Sequence, residues 1–170
     1  MVIYHGSDLI VDRPEILKNN RLLDFGIGFY TTSNKEQASR WAAKVSTRNN
    51  AAKKILSIYQ FDLENAIKEL EILEFNSADE RWLKFITNNR NGKSVEEEYD
   101  IVLGPVADDN VYLTVKLFET GVLDIEEALR RLKVEKLFDQ ILFHTERSLK
   151  FCIFDHSEDL GEDVNGQEQI

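Results

Sequence analysis

Two short stretches hold the side chains best suited to chemistry. In Tyr4-His5-Gly6-Ser7 an imidazole is followed at once by a residue with no side chain. The imidazole can bond a sugar hydroxyl, and the glycine lets a ligand reach main-chain N–H and C=O groups that can pair with a carboxamide. In DFGIGFYTT, residues 24–32, two glycines lead into Phe29 and Tyr30, and Trp41 follows eleven positions after the tyrosine. Tyr30 on a strand and Trp41 on the helix behind it could face one another across a planar ring; a tight structural corner is the other reading. The Gly-x-Gly lacks the third glycine and preceding strand of a dinucleotide-binding turn, and no GxxxxGK phosphate loop occurs. Of the three histidines, His5 and His144 lie far apart and share no metal-ligand spacing with Cys152, and His156 stands at the edge of the tail.

The elements that must position these groups follow from caps and periodicity. VIYH at 2–5 is a strand, broken by Gly6-Ser7, and a second strand surrounds Phe29 to Thr32. Ser33 and Glu36 form a capping box for a helix over about 34–46, with Ala38, Trp41, Ala42 and Val45 at helical spacing. On that stripe Trp41 has a second reading, as core. A strand over 55–62 is followed by a short element running into a strand near 70–75. A second capping box, Ser77 to Glu80, opens a helix carrying Trp82, Leu83, Phe85 and Ile86 and ending near Asn88. Strand 99–104 stops at Gly104-Pro105. Asp108-Asp109 cap a helix that Gly121 stops, and Asp124 with Glu127 opens another through Leu132. Two final strands, Gln140–His144 and Leu149–Phe154, flank a Thr-Glu-Arg-Ser turn. Strands at both ends with helices between them predict an α+β fold.

The length of 170 residues fits one domain with a real core. We place it at 1–156, followed by an acidic tail, 157–170, poor in large apolar groups and expected to be disordered. The single cysteine excludes an internal disulfide, and its FCIF setting reads as buried strand. No apolar run reaches the length of a membrane span and residues 1–10 do not form a signal peptide, so a cytoplasmic location without membrane attachment is expected. The net charge of −10 disfavours non-specific nucleic-acid binding, though not attack on nucleic acid through a local basic patch. The segment 44–54 carries four basic residues and reads equally as a substrate rim or a solvated helix end.

Taken in order, YHGS, DFGIGFYTT, the EQASRWA helix, the second tryptophan helix with its NNR end, YDIVLGPVADD and QILFHT resemble an ADP-ribosyltransferase domain. The likeness is to the histidine–tyrosine–glutamate branch, and within it to the bacterial DUF3990 family, over residues 2 to about 154. It implies a split β-sheet core with peripheral helices, and NAD as co-substrate. On this resemblance His5 bonds the NAD ribose, Gly6 clamps the nicotinamide through its main chain, and Tyr30 is the first ring stacked on it. Ser7, Gly28 and Thr31 complete the same binding set. The second ring, eleven residues later in the poly-ADP-ribose polymerases, is replaced by Trp41.

The branch's third element is a glutamate opening a late strand; the matching residue is Gln140. Its amide oxygen can accept the ribose 2′-hydroxyl, but it is neutral and is no general base. Asp108 and Asp109, otherwise helix caps, and Glu146, otherwise a solvated turn residue, are the carboxylates that could supply the missing charge. The resemblance implies mono-ADP-ribosylation of a protein or nucleic-acid acceptor rather than chain elongation. It also implies a toxin or modifier role, with a cognate antitoxin or regulator as partner. The alternative is a module of the same fold that binds NAD or ADP-ribose, or a protein partner, without turnover; Gln140 keeps it open.

Overall fold

In the computed structural model, residues 1–17, 23–93, 99–106, 109–133 and 138–161 are described. The architecture is α+β, as expected. Strand β1 (Val2–Ser7) is followed by β2 (Phe29–Thr31), α1 (Lys35–Asn49), β3 (Ile55–Phe61), α2 (Leu63–Glu69), β4 (Ile72–Glu74) and α3 (Glu80–Arg90). The chain continues through β5 (Ile101–Pro105), α4 (Asp109–Glu119), α5 (Ile125–Leu132), β6 (Asp139–Phe143), α6 (Glu146–Leu149) and β7 (Cys152–Asp159). The strands divide into a sheet ordered β1-β3-β7 and a sheet ordered β2-β6-β5-β4. All pairs are antiparallel except β4 with β5.

Alternation along the strands builds three apolar layers. Ile3, Tyr59, Phe61 and Cys152 of the first sheet meet Phe29, Ile101, Ile141 and Phe143 of the second in a buried inner layer. Leu56, Ile58 and Tyr4 face outward from the first sheet, where Ala38 of α1 covers them. Leu73, Val102 and Leu142 face outward from the second, beneath Trp82, Leu83 and Ile86 of α3, Val111 and Val115 of α4, and Ala128 and Leu132 of α5. Cys152 belongs to the inner layer, and burial pushes its thiol pKa up to about 12.

Several boundaries differ from expectation, each for a local reason. Gly6-Ser7 does not break β1: Gly6 pairs with Leu56 and Ser7 with Ile55. A Cβ at Gly6 would lie 2.0 Å from the Ala38 carbonyl oxygen and 2.8 Å from the Ala42 nitrogen, so this glycine lets α1 cross β1 backbone to backbone. The cap of α1 is Asn34, whose side chain accepts from Gln37 N–H, one residue after the expected Ser33 box. The helix runs three residues past 46, ending where Asn50 turns left-handed at φ 51°. Asp79 rather than Ser77 caps α3, which continues to Arg90. Residues 63–69 form a helix that Asp62 caps, and the strand after it starts at Ile72. The Thr-Glu-Arg-Ser turn is the short helix α6, closed by a box between Thr145 and Ser148. Strand β7 extends to Asp159, past the boundary expected at 156. Among the described residues no helix is long and apolar enough to cross a membrane.

Candidate functional site

Among the described residues a single main-chain bridge joins the two sheets. Tyr4 N–H donates to the Thr32 carbonyl at 2.8 Å and Thr32 N–H to the Tyr4 carbonyl at 3.0 Å, forming an isolated bridge. In an antiparallel ladder the main-chain groups of successive residues point to alternate edges. Gly6 therefore presents its N–H and C=O to the same edge as Tyr4, away from β3. Beyond the bridge β1 and β2 part, and among the described residues no main-chain bond closes Gly6 on that side. By the same alternation the Tyr30 carbonyl points away from β6 toward β1.

His5 fills that gap. Its ring lies on the inner face of the first sheet, 4.7 Å between centroids from Phe29, and its Nδ1 is 2.7 Å from the Tyr30 carbonyl oxygen. A carbonyl only accepts, so Nδ1 carries the proton and neutral His5 keeps an Nε2 lone pair. Burial lowers the His5 pKa below its ordinary value more than the bond to Tyr30 raises it, which favours this neutral form. The result is an imidazole fixed in one tautomer, with Nε2 as an acceptor.

Tyr30 meets His5 through its main chain, not its ring. The Tyr30 ring packs on the outer layer of the second sheet, and its hydroxyl donates to the Gly26 carbonyl at 2.6 Å. Gly28 is required by close approach: a Cβ there would lie 2.3 Å from the Phe143 carbonyl oxygen. Gln140 lies on the same face of the sheet as Tyr30, because Tyr30 pairs with Leu142 across β2–β6. The Gln140 Nε2 is buried without a hydrogen-bond partner, an arrangement that costs about 1–3 kcal/mol. A cavity of about 650 Å³, lined by Phe75, Ser77, Asp79, Gly104, Phe138 and Asp139, reaches the residues on both sides of Gln140 without including His5 or Tyr30.

Other expected site residues stand apart from this group. Trp41 is not in the buried stripe of α1, which comprises Ala38, Ala42, Val45 and Ser46; its side chain is 51% exposed. The helix lies so near β1 that only small residues fit beneath it, and the indole is displaced to the flank. No ring contact joins Trp41 to Tyr30 among the described residues. Thr31 is buried, its hydroxyl donating to the Ile141 carbonyl at 3.0 Å. Ser7 donates to Asp8 at 3.3 Å, beside the end of α1, where Asn49 also bonds Asp8. Glu146 is the first residue of α6, beyond the end of β6 opposite to Gln140. Asp109 opens α4, and Asp108 lies outside the described residues.

Two carboxylates escaped the sequence reading. Asp139, beside Gln140, accepts from the Thr32 hydroxyl at 2.8 Å and from Ser33 N–H at 3.1 and 3.2 Å, pinning the start of α1 to β6. Asp100, 3% exposed, accepts from Thr145 Oγ at 2.7 Å, Glu71 N–H at 3.0 Å, Arg147 Nε at 2.6 Å and also Arg147 Nη2. Neither pairing has a local signal, since the partners lie about a hundred and about forty-five residues away respectively.

The fold and site together define an α+β protein of two partly joined sheets, with a tautomer-locked histidine and, where they part, a buried glycine that no main-chain bond closes on that side among the described residues. The profile of a family described as a protein of unknown function, DUF3990, matches residues 1–154, and the chain belongs to that family. No curated protein and no solved structure matches it.

Proposed function

We propose that the chain is an NAD-dependent mono-ADP-ribosyltransferase whose nicotinamide and ribose occupy the split between the sheets. The observation that carries this reading is the pairing of neutral His5, with Nδ1 engaged by Tyr30, and the unclosed main-chain edge of Gly6. Nε2 would accept a ribose hydroxyl, and the Gly6 N–H and C=O would pair with the nicotinamide carboxamide. Tyr30, fixed through its hydroxyl, would support the nicotinamide ring. Gln140 would bond the ribose 2′-hydroxyl, satisfying an amide that the fold leaves open.

In the reaction the C1′–nicotinamide bond lengthens first, because the leaving group already carries positive charge. The acceptor then forms a bond to C1′, and nicotinamide departs with the electrons of the broken bond. A neutral Gln140 orients the sugar but adds no negative charge beside the oxocarbenium ion. That same neutrality favours a second reading, a module that holds NAD intact.

Purified protein incubated with NAD distinguishes the two when free nicotinamide is measured by mass spectrometry beside a binding titration. Release lost in both His5→Ala and Tyr30→Ala, with folding intact, supports the transferase. Binding without release, also when oligonucleotide and protein acceptors are added, supports the module, and absence of binding overturns both.

A further inference from the structure

One face of α1 is unlike the rest of this acidic surface. Between residues 33 and 54 lie Lys35, Arg40, Lys44, Arg48, Lys53 and Lys54 against one acid, Glu36, in a chain of net charge −10. Gln37, Trp41, Lys44 and Arg48 recur at spacings of three or four and so share a helix face. Trp41, Lys44 and Arg48 are all exposed. The core does not require the indole, since the small residues beneath α1 already close it.

We propose that this face binds single-stranded nucleic acid and presents it as the acceptor of the transfer. The acceptor role rests on the reading above; the binding does not. Bases stack on an exposed ring while flanking cations take the phosphates, a mode that tolerates sequence. An acidic peptide would engage the cations and leave the indole unused. Arg40 bonds exposed Glu36 at 3.0 Å, a solvated pair that a phosphate can replace at little cost. Asp8 faces Arg48, and Glu158 of β7 pairs with Lys35 at 2.7 Å, so the cations this face offers a ligand are those along the Trp41 stripe and at 53–54.

The stripe also starts at the candidate site. Gln37, one turn before Trp41, has its Oε1 3.3 Å from the Thr32 hydroxyl oxygen, and Thr32 is half of the bridge between the sheets. The Arg40 guanidinium lies 5.2 Å from the Phe138 ring centroid, two residues before Gln140. A strand laid along α1 would therefore deliver a base to the split. There a base nitrogen would bond to C1′ of NAD, nicotinamide would leave with the electron pair, and the displaced proton would pass to water.

The test is a titration of a labelled oligodeoxythymidylate by fluorescence anisotropy without NAD, repeated over several salt concentrations. Trp41→Ala is expected to weaken binding about tenfold or more. Lys44→Gln combined with Arg48→Gln should flatten the slope of log affinity against log salt by about 1.4. Lys84→Gln, on α3, should change neither. Because Trp82 is fully buried with its indole N–H on the Pro105 carbonyl at 2.9 Å, quenching of intrinsic fluorescence on binding reports Trp41. No binding, or binding that Trp41→Ala leaves unchanged, overturns the proposal. So does poly-glutamate binding as tightly as the oligonucleotide, which would mark an acidic-protein surface. Oligonucleotide binding without nicotinamide release would sink the transferase and keep this surface; release without oligonucleotide binding would do the reverse.

Discussion

The second sheet ends in two polar regions built on opposite plans. At the end formed by Asp100, Thr145 and Arg147, one buried carboxylate receives donors from a side-chain hydroxyl, a guanidinium and a main-chain N–H. Toward the other end Asp139 holds Thr32 at the bridge between the sheets; beyond that bridge no main-chain bond closes Gly6, and the Gln140 amide nitrogen is buried without a partner, among the described residues. A satisfied buried network specifies structure, whereas an unsatisfied group is a cost that selection keeps for a reason outside the fold. The first region is a lock, and the second holds the groups that the proposed ligand would complete.

The hardest blow to this contrast comes from Gly6. Its position is shared between packing and the proposed ligand, because its missing side chain faces α1 while its peptide groups face the split. Gly6→Ala places a methyl against helix backbone, which cannot rotate aside as a side chain would. We expect a loss of about 3 kcal/mol, read as a lower urea midpoint with an unchanged slope. An unchanged midpoint would mean that α1 does not rest on β1. At the lock, Asp100→Ala removes several charge-assisted bonds, but the half-solvated Arg147 can rehydrate. The expected loss is smaller, about 2 kcal/mol, with NAD affinity unchanged in the folded fraction.

These two residues also show how far the sequence was legible. Gly6 stands out in Tyr4-His5-Gly6-Ser7, yet a glycine is explained equally by a ligand and by a crossing helix. Only the fold shows that its Cα and its peptide edge serve different neighbours. The α+β pattern, Asp124 as a cap and the Gly121 stop were readable because each depends on residues a turn apart. Ser33-Asn34-Lys35-Glu36-Gln37 offers two overlapping caps, and the strand geometry before it selects Asn34. Trp41 fits the apolar periodicity, but periodicity does not encode how closely a helix sits on its sheet. Asp100 with Arg147 and Asp139 with Thr32 join distant segments, so no local pattern announces either pair.

Gln140 gives the contrast a sharper form. Gln140→Leu removes a donor that the folded protein leaves unpaired, so it is expected to stabilise by about 1 kcal/mol. The same change should abolish or strongly weaken NAD binding by titration. Gain of stability with loss of ligand is the signature of a group retained for function. A destabilised Gln140→Leu that still binds NAD would assign the residue to packing. Gln140→Glu restores a charge beside the sugar, and increased nicotinamide release over wild type is expected if the transferase reading holds.

The smallest effect separates the two ends by pH. Burial dominates at His5 and lowers its pKa below 6.5, against the raising effect of the Tyr30 bond. Between those two values the unfolded chain binds more protons than the folded one, so stability is full above about pH 6.5 and falls as pH drops toward the folded value. At Asp100 burial raises the pKa, but Arg147, Thr145 and the Glu71 N–H together hold it below 3.8. Its contribution is present above that value and is lost only as pH falls further, through the folded pKa. The split should therefore loosen first on acidification, and the lock last. Urea midpoints followed downward from neutral pH test the order. His5→Gln should remove the earlier decline and Asp100→Asn the later one. An early decline that survives His5→Gln would place the sensitive group elsewhere and detach His5 from the open end.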